Sequence, residues 1–181
     1  MKNVMLDLET LGTTADSAII SIGAVRFDLE SSEVDNDGFY ASVSVDSNLE
    51  LGRKISESTL IWWMGQDEDA KCVFTEPKQT LYAALQSLSD WFGGEDDYLV
   101  WSNGASFDIP MLEHAYAQAD MEVPWKFFNA RCMRTYKNLP GAAKFALPFK
   151  GVAHNALHDA LNQAQSLQAI HTNLFKQREL V

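Results

Sequence analysis

Five residues from three separated stretches have the types and spacing to do chemistry together. Asp7 and Glu9 stand at i and i+2 at the end of an apolar run. In a strand such residues share a face, while Leu6 and Leu8 point to the other. Two like charges side by side are unfavourable unless a cation lies between them. Asp108 falls in the first turn of a helix that opens within Trp101-Ser102-Asn103-Gly104-Ala105-Ser106-Phe107-Asp108. His154 and Asp159 belong to His154-Asn155-Ala156-Leu157-His158-Asp159-Ala160. There Asp159 shares a helical side with Ala156 and Gln163, and His154 precedes the helix. Each piece alone has a plainer reading: solvated acids at a strand end, an acid favoured by a helix dipole, and surface histidines. As a set, four carboxylates suit two hard divalent cations. Two such ions roughly 3.5–4 Å apart stabilise the attacking and leaving oxygens of an in-line phosphoryl displacement. A histidine with its ordinary pKa of about 6.5 can deprotonate the attacking water. Zinc fits less well, because no Cys/His cluster is present.

The elements that must hold these residues follow from hydropathy pattern. Residues 3–8, 18–27 and 39–45 are expected strands, separated by Gly12-Thr13-Thr14-Ala15-Asp16 and by a loop ending Asn36-Asp37-Gly38. Short turns between them suggest an antiparallel meander. Helices are expected over 56–66 and over 77–92. In the second, Leu81, Leu85, Leu88 and Trp91 make one apolar face, and Gly93-Gly94 stops it. A short strand over 98–101 leads to a helix over 106–119, with Pro110 tolerable only in its first turn. Residues 127–129 suggest another strand, 137–153 a long loop, and 155–175 a final helix. The buried stripe of that helix would be Ala156, Ala160, Leu167, Ile170 and Leu174. Strands first, then alternating helices and strands, predict an α/β fold with a mixed sheet covered by helices.

Composition bounds the class. The chain has 181 residues with 46% hydrophobic and 22% charged, which fits one folded domain over 1–181 and excludes a disordered chain. No signal-peptide layout or membrane-spanning run is present, and Cys72 and Cys132 sit in no metal-ligand spacing. A cytoplasmic protein with reduced thiols and no membrane partner is expected. The net charge of −11 at first disfavours nucleic acid, since phosphate neutralisation supplies most of such affinity. Its distribution reverses that. Residues 123–158 hold Lys126, Arg131, Arg134, Lys137, Lys144 and Lys150 and no acid, interleaved with Trp125, Phe127, Phe128, Tyr136, Phe145 and Phe149. Basic residues among aromatics suit a single-strand channel, and about half of these rings are expected in the core.

The motifs resemble a known family. Asp7-Leu8-Glu9-Thr10, Asn103-Gly104 through Phe107-Asp108, and the stretch 154–160 with His five residues before Asp look like the three motifs of the DEDDh 3′–5′ exonucleases. That superfamily includes oligoribonuclease, ribonuclease T and the proofreading subunit of replicative DNA polymerase. The similarity runs in order along nearly the whole chain. Residues 58–66 and Arg131-Cys132-Met133-Arg134-Thr135 are similar to a phage and bacterial branch that includes exonuclease A and exodeoxyribonuclease VIII-like enzymes. The resemblance implies a ribonuclease H-like five-stranded mixed sheet, three antiparallel strands then two parallel, flanked by helices. It implies a nuclease that releases nucleoside 5′-monophosphates from the 3′ end of single-stranded or 3′-overhanging DNA or RNA. Asp7, Glu9, Asp108 and Asp159 would be the ligands of two divalent cations, Mg²⁺ or Mn²⁺, and His154 the general base. Many members pair as homodimers, so a homodimer is an expected assembly. His158 departs from the branch, where that position is often acidic; it would contact phosphate or be exposed.

Substrate contacts follow from the same alignment of motifs. Thr10 and Leu11 would meet the terminal nucleotide, Leu11 as a wedge against a base. Phe107 would support the terminal sugar or pack in the core. Trp62 or Trp63 would stack on a base; neighbours on a helix point about 100° apart, so one of the two is expected to face the site. Gln66 can share a face with either, and Arg131 and Arg134 are candidate phosphate contacts from the basic window. Two other readings are a binding module without turnover and a phosphoesterase acting on small nucleotides.

Overall fold

The structure is a computed structural model that describes residues 1–94, 97–104 and 106–175. Ala105 of the second motif lies outside the described residues. Strand β1 (Asn3–Thr10) is central because Val4, Met5 and Leu6 have no exposed surface on either face. It pairs antiparallel with β2 (Ile19–Phe27), which pairs antiparallel with β3 (Phe39–Ser42). On its other side β1 pairs parallel with β4 (Leu99–Ser102), and β4 pairs parallel with β5 (Ala130–Cys132). The sheet order β3-β2-β1-β4-β5 is the three-plus-two arrangement expected of a ribonuclease H-like fold.

Strand alternation divides the core. Val4, Leu6 and Leu8 pack with Leu81, Leu85 and Leu88 of α4 (Leu81–Phe92) and with Leu112 and Tyr116 of α5 (Asp108–Gln118). Met5, on the opposite face, packs with Trp101 and with Ala160, Ala164 and Leu167 of the long C-terminal helix (Ala156–Phe175). Asp7 and Glu9 therefore lie on the face covered by the C-terminal helix. Among the described residues four shorter helices complete the set: α1 (Val45–Glu50), α2 (Glu57–Met64), α3 (Glu68–Lys71) and α6 (Met133–Lys137). The C-terminal helix is α7. Among the described residues no helix is long and apolar enough to cross a membrane, and neither Cys72 nor Cys132 takes part in a disulfide.

Several boundaries differ from the hydropathy reading for local reasons. The third strand stops at Ser42, because the Ser44 hydroxyl accepts the Ser47 amide and opens α1 at Val45. Thr80, not Pro77, begins α4: its hydroxyl accepts the Ala83 amide, while Val43 forms a parallel bridge with Gln79. Phe92 fills the core where Trp91 was expected; Trp91 is half-buried under the Arg26 guanidinium, 3.9 Å from its ring. Residues 127–129 form a 3₁₀ turn closed by the Asn129 amide on the Lys126 carbonyl, so the fifth strand comes three residues later. The stretch 137–153 is not all loop, since a 3₁₀ turn over Ala142–Phe145 buries Ala142. In α7, Ala164 joins the buried stripe and Leu174 is half-buried.

Candidate active site

The strand ends bring the first two acids into place. Asp7 pairs with Gly23 of β2, and the register shifts between Glu9 and Thr10. Gly23 has a steric role. A Cβ there would come within 2.2 Å of the Ala156 backbone, so only glycine lets the first turn of α7 reach the sheet. That contact sets Asp159 against Asp7 and Glu9. Gly23→Ala is expected to push the start of α7 outward, costing about 1–3 kcal/mol of stability and lowering turnover. Denaturant unfolding and a rate assay check it, and wild-type values in both would refute this packing account.

One ligand oxygen from each of Asp7, Glu9 and Asp159 lies within 4.8 Å of the others. Asp108 borders the same group, and its Oδ1 accepts the Leu8 amide at 3.2 Å. A cavity of about 240 Å³ opens on all four, with Asn103, Gly104, Arg134, His154 and Gln163 also in its wall. The electrostatics are frustrated. Burial pushes Glu9 up to about 8, with Asp159 and Asp108 adding to it. Burial likewise pushes Asp108 up to about 6, against the pull of backbone amides, the Ser102 hydroxyl and Arg134. Asp7 is raised well above the usual range, by burial first and then by Asp108, Glu9 and Asp159. Burial also raises Asp159, although the histidines and the amides at 154 and 155 oppose it.

This donor set fits hard divalent cations. It is all oxygen, its charges repel, and the buried Asp159 Oδ2 has no hydrogen-bond partner. A pH dependence follows. Between Glu9's ordinary value of 4.5 and its folded value of about 8, the cation-free folded protein holds a proton that the unfolded chain has released. Stability therefore falls as pH rises through that window, by about 1.4 kcal/mol per pH unit for that proton. Thermal melts in EDTA should show Tm falling from about pH 5 to about pH 8, with Mn²⁺ restoring it most at the upper end. A Tm that rises across the window in EDTA would count against it.

Gln163 was not singled out from sequence as a site residue. Its Nε2 donates to Asp7 Oδ1 at 2.6 Å, while its buried Oε1 has no partner. The signal was available: it stands four residues after Asp159 on the same helical face. Gln163→Ala is expected to weaken Mn²⁺ binding or activity by about 10- to 100-fold. Calorimetric titration with Mn²⁺ measures the first of these directly, and unchanged affinity and rate would remove Gln163 from the site.

His154 lines the acid cavity with a left-handed backbone, φ 63°. Such strain costs about 1–3 kcal/mol and clusters where function requires it. Its ring stands edge-on to Trp62, centroids 4.8 Å apart. Trp62 is 44% exposed and helps line a second cavity of about 370 Å³, with Thr10, Thr13, Ser58, Thr59 and Phe107. The two cavities share Leu8, Glu9 and Phe107.

Other sequence-predicted contacts lie elsewhere. Leu11 is buried with Ala18, Ile20 and Trp63, its amide bonded to the Ala18 carbonyl, so it presents no wedge. Trp63 is buried and donates from Nε1 to the Thr10 carbonyl at 2.9 Å. Gln66 donates to the Trp62 carbonyl. Arg131 donates to the carbonyls of Phe128 and Ala130, and none of these four lines either cavity. Of the basic window, Arg134 reaches the acids. Phe127 and Phe128 are exposed but precede β5, whose parallel register with β4 puts them at the sheet end remote from Glu9. The basic and aromatic residues thus do not form one continuous channel.

Comparison with known proteins agrees with this fold. Residues 2–171 match the family model described as the 3′–5′ exoribonuclease Rv2179c-like domain. An exodeoxyribonuclease of Enterobacteria phage T4 is 24% identical over 197 aligned residues, covering 88% of this chain and 84% of that protein. Among solved structures, the nuclease domain of 3′hExo, a DEDDh family member bound to rAMP, aligns with a TM-score of 0.61 and 16% identity over 94% of this chain and 90% of that one. Exonuclease I of E. coli, in complex with a 5cy-dT13 oligonucleotide, aligns at 0.60 and 13% over 98% of this chain and 42% of that one. The RNase domain of yeast Pop2 aligns at 0.59 and 14%, over 96% and 77%. The fold is that of the ribonuclease H-like DEDDh nucleases, and the chain belongs to the Rv2179c-like family of 3′–5′ exoribonuclease domains.

Proposed function

We propose that this 3′–5′ exonuclease hydrolyses the terminal phosphodiester bond of single-stranded or 3′-overhanging DNA or RNA and releases nucleoside 5′-monophosphates. Asp7, Glu9, Asp108 and Asp159 would hold two divalent cations, Mg²⁺ or Mn²⁺. Bound there, the cations would supply positive charge to the attacking and leaving oxygens. The observation that carries this reading is the frustrated acid group, with its unpartnered Asp159 oxygen, opening beside an apolar cavity that shares Glu9 and Phe107 with it.

The side chains divide the work. His154, in the wall of the acid cavity, accepts the proton of the attacking water. Trp62 and Phe107 present apolar surface to the terminal nucleoside, and Thr10 lines the same space. Arg134, which borders the acids, pairs with a phosphate oxygen of the strand. The test is a paired kcat/KM comparison of a dinucleotide and a long strand, in DNA and RNA form, with Mn²⁺. Turnover of the long strand supports the reading. Turnover confined to the dinucleotide would move the protein to the small-nucleotide phosphoesterases, and equal binding without turnover to the binding modules.

A further inference from the structure

We propose that His158, Asn162 and Ser166 form a positioning stripe on α7 that fastens the backbone strap 147–152 and so sets where His154 is delivered. The proposal rests on the reading of His154 as the proton acceptor.

The three residues stand at i, i+4 and i+8, on one face of the helix. Each reaches the same strap. Ser166 Oγ accepts the Leu147 amide at 3.2 Å. Asn162 Oδ1 accepts the Lys150 amide at 2.8 Å, and its Nδ2 donates to the Lys150 carbonyl at 2.7 Å. His158 Nδ1 accepts the Val152 amide at 3.1 Å, which leaves Nε2 as the protonated nitrogen of the neutral ring. The strap is neither helix nor strand, so these side chains supply partners that regular structure would otherwise provide. The approach is close. Gly151 has φ +99°, and a Cβ there would lie 3.1 Å from the His158 ring.

The last fastening sits two residues before His154. On the other side, Asn155 Oδ1 accepts the His158 amide at 3.1 Å. His158 thus holds the histidine segment twice, by its ring before His154 and by its backbone after it. The left-handed backbone of His154 persists where neighbours over-determine it, and this double hold does so. One residue along the helix, Asp159 and Gln163 face the acid cavity. The same turns of α7 therefore fix the acids and the base relative to one another. His158, expected to meet phosphate or to be exposed, is half-buried and committed to the strap.

Amide exchange and steady-state kinetics on the full chain test the assignment. His158→Ala should speed exchange at Val152 and lower kcat on a 5′-labelled single-stranded DNA by about 10- to 100-fold, with KM and Mn²⁺ affinity unchanged. His158→Gln, whose side-chain carbonyl can accept the same amide, should recover much of the rate. Asn162→Ala should speed exchange at Lys150 and lower kcat in the same way. Wild-type exchange at both amides in these variants would overturn the proposal. So would faster exchange with unchanged kcat, or a kcat loss that tracks Mn²⁺ affinity and so belongs to Asp159. Unchanged kcat in His154→Asn would instead overturn the base reading, so the two failures show in separate variants.

Discussion

Asp7→Ala is expected to slow strand shortening by about 10³-fold or more, roughly 4 kcal/mol of transition-state stabilisation. Asp7 sits at the centre of the acid group, facing Glu9, Asp108 and Asp159, with its own oxygen steadied by Gln163. Its removal takes a carboxylate from the Asp7–Glu9–Asp159 trio proposed to hold the cations, and no other described side chain in the cavity wall replaces it. The same change should have the opposite effect on stability. The carboxylates repel one another, so in EDTA at about pH 8 the variant should melt no lower than the wild type and should lose most of its response to Mn²⁺. Rate and melting together separate loss of a ligand from loss of fold. A variant that keeps its Mn²⁺ response and most of its rate would contradict the role given to Asp7.

Loss of the histidine should be smaller and of a different kind. His154→Ala is expected to lower kcat by about 10²- to 10⁴-fold, the usual contribution of a positioned general base, with KM and Mn²⁺ affinity retained. The ring shares the acid cavity and stands against Trp62, so it is placed to take a proton without itself belonging to the carboxylate trio. The backbone at 154 is left-handed, a conformation alanine tolerates poorly and asparagine tolerates well. His154→Asn is therefore the cleaner variant: it keeps the local fold and removes the imidazole proposed as the base. Equal kcat losses in the two variants point to the imidazole, whereas a wild-type rate in the asparagine variant would show that only the backbone matters.

Much of this was legible in sequence because the chemistry is local. Asp7 and Glu9 are two apart in one strand, and His154 and Asp159 are five apart at one helix start. Strand periodicity puts Asp7 and Glu9 on one face, helical periodicity puts Asp159 with Gln163, and the resemblance of the motifs joins His154 and Asp108 to them. What escaped was set by packing between distant segments. Gly23 looks like any strand glycine until α7 lies on it, and Gln163 becomes a site residue only once β1 brings Asp7 to it. Leu11 and Trp63 fit a nucleotide contact by position in the motif, yet the turn after β1 buries both in a small cluster of their own. The basic window failed as a continuous channel for a similar reason. Its residues are adjacent in sequence, but β5 runs through it and separates Phe127 and Phe128 from Arg134. His158 illustrates the reverse case: its partner is the backbone of a strap, which carries no side-chain pattern to read.

The central claim is tested most directly by digesting one 5′-labelled strand, DNA and RNA in parallel, with Mn²⁺ and with EDTA. With Mn²⁺ the labelled strand should shorten stepwise from its 3′ end while nucleoside 5′-monophosphates accumulate, and EDTA should stop it. An intact strand with Mn²⁺, or release of the 5′ label as the first mononucleotide, would contradict the account.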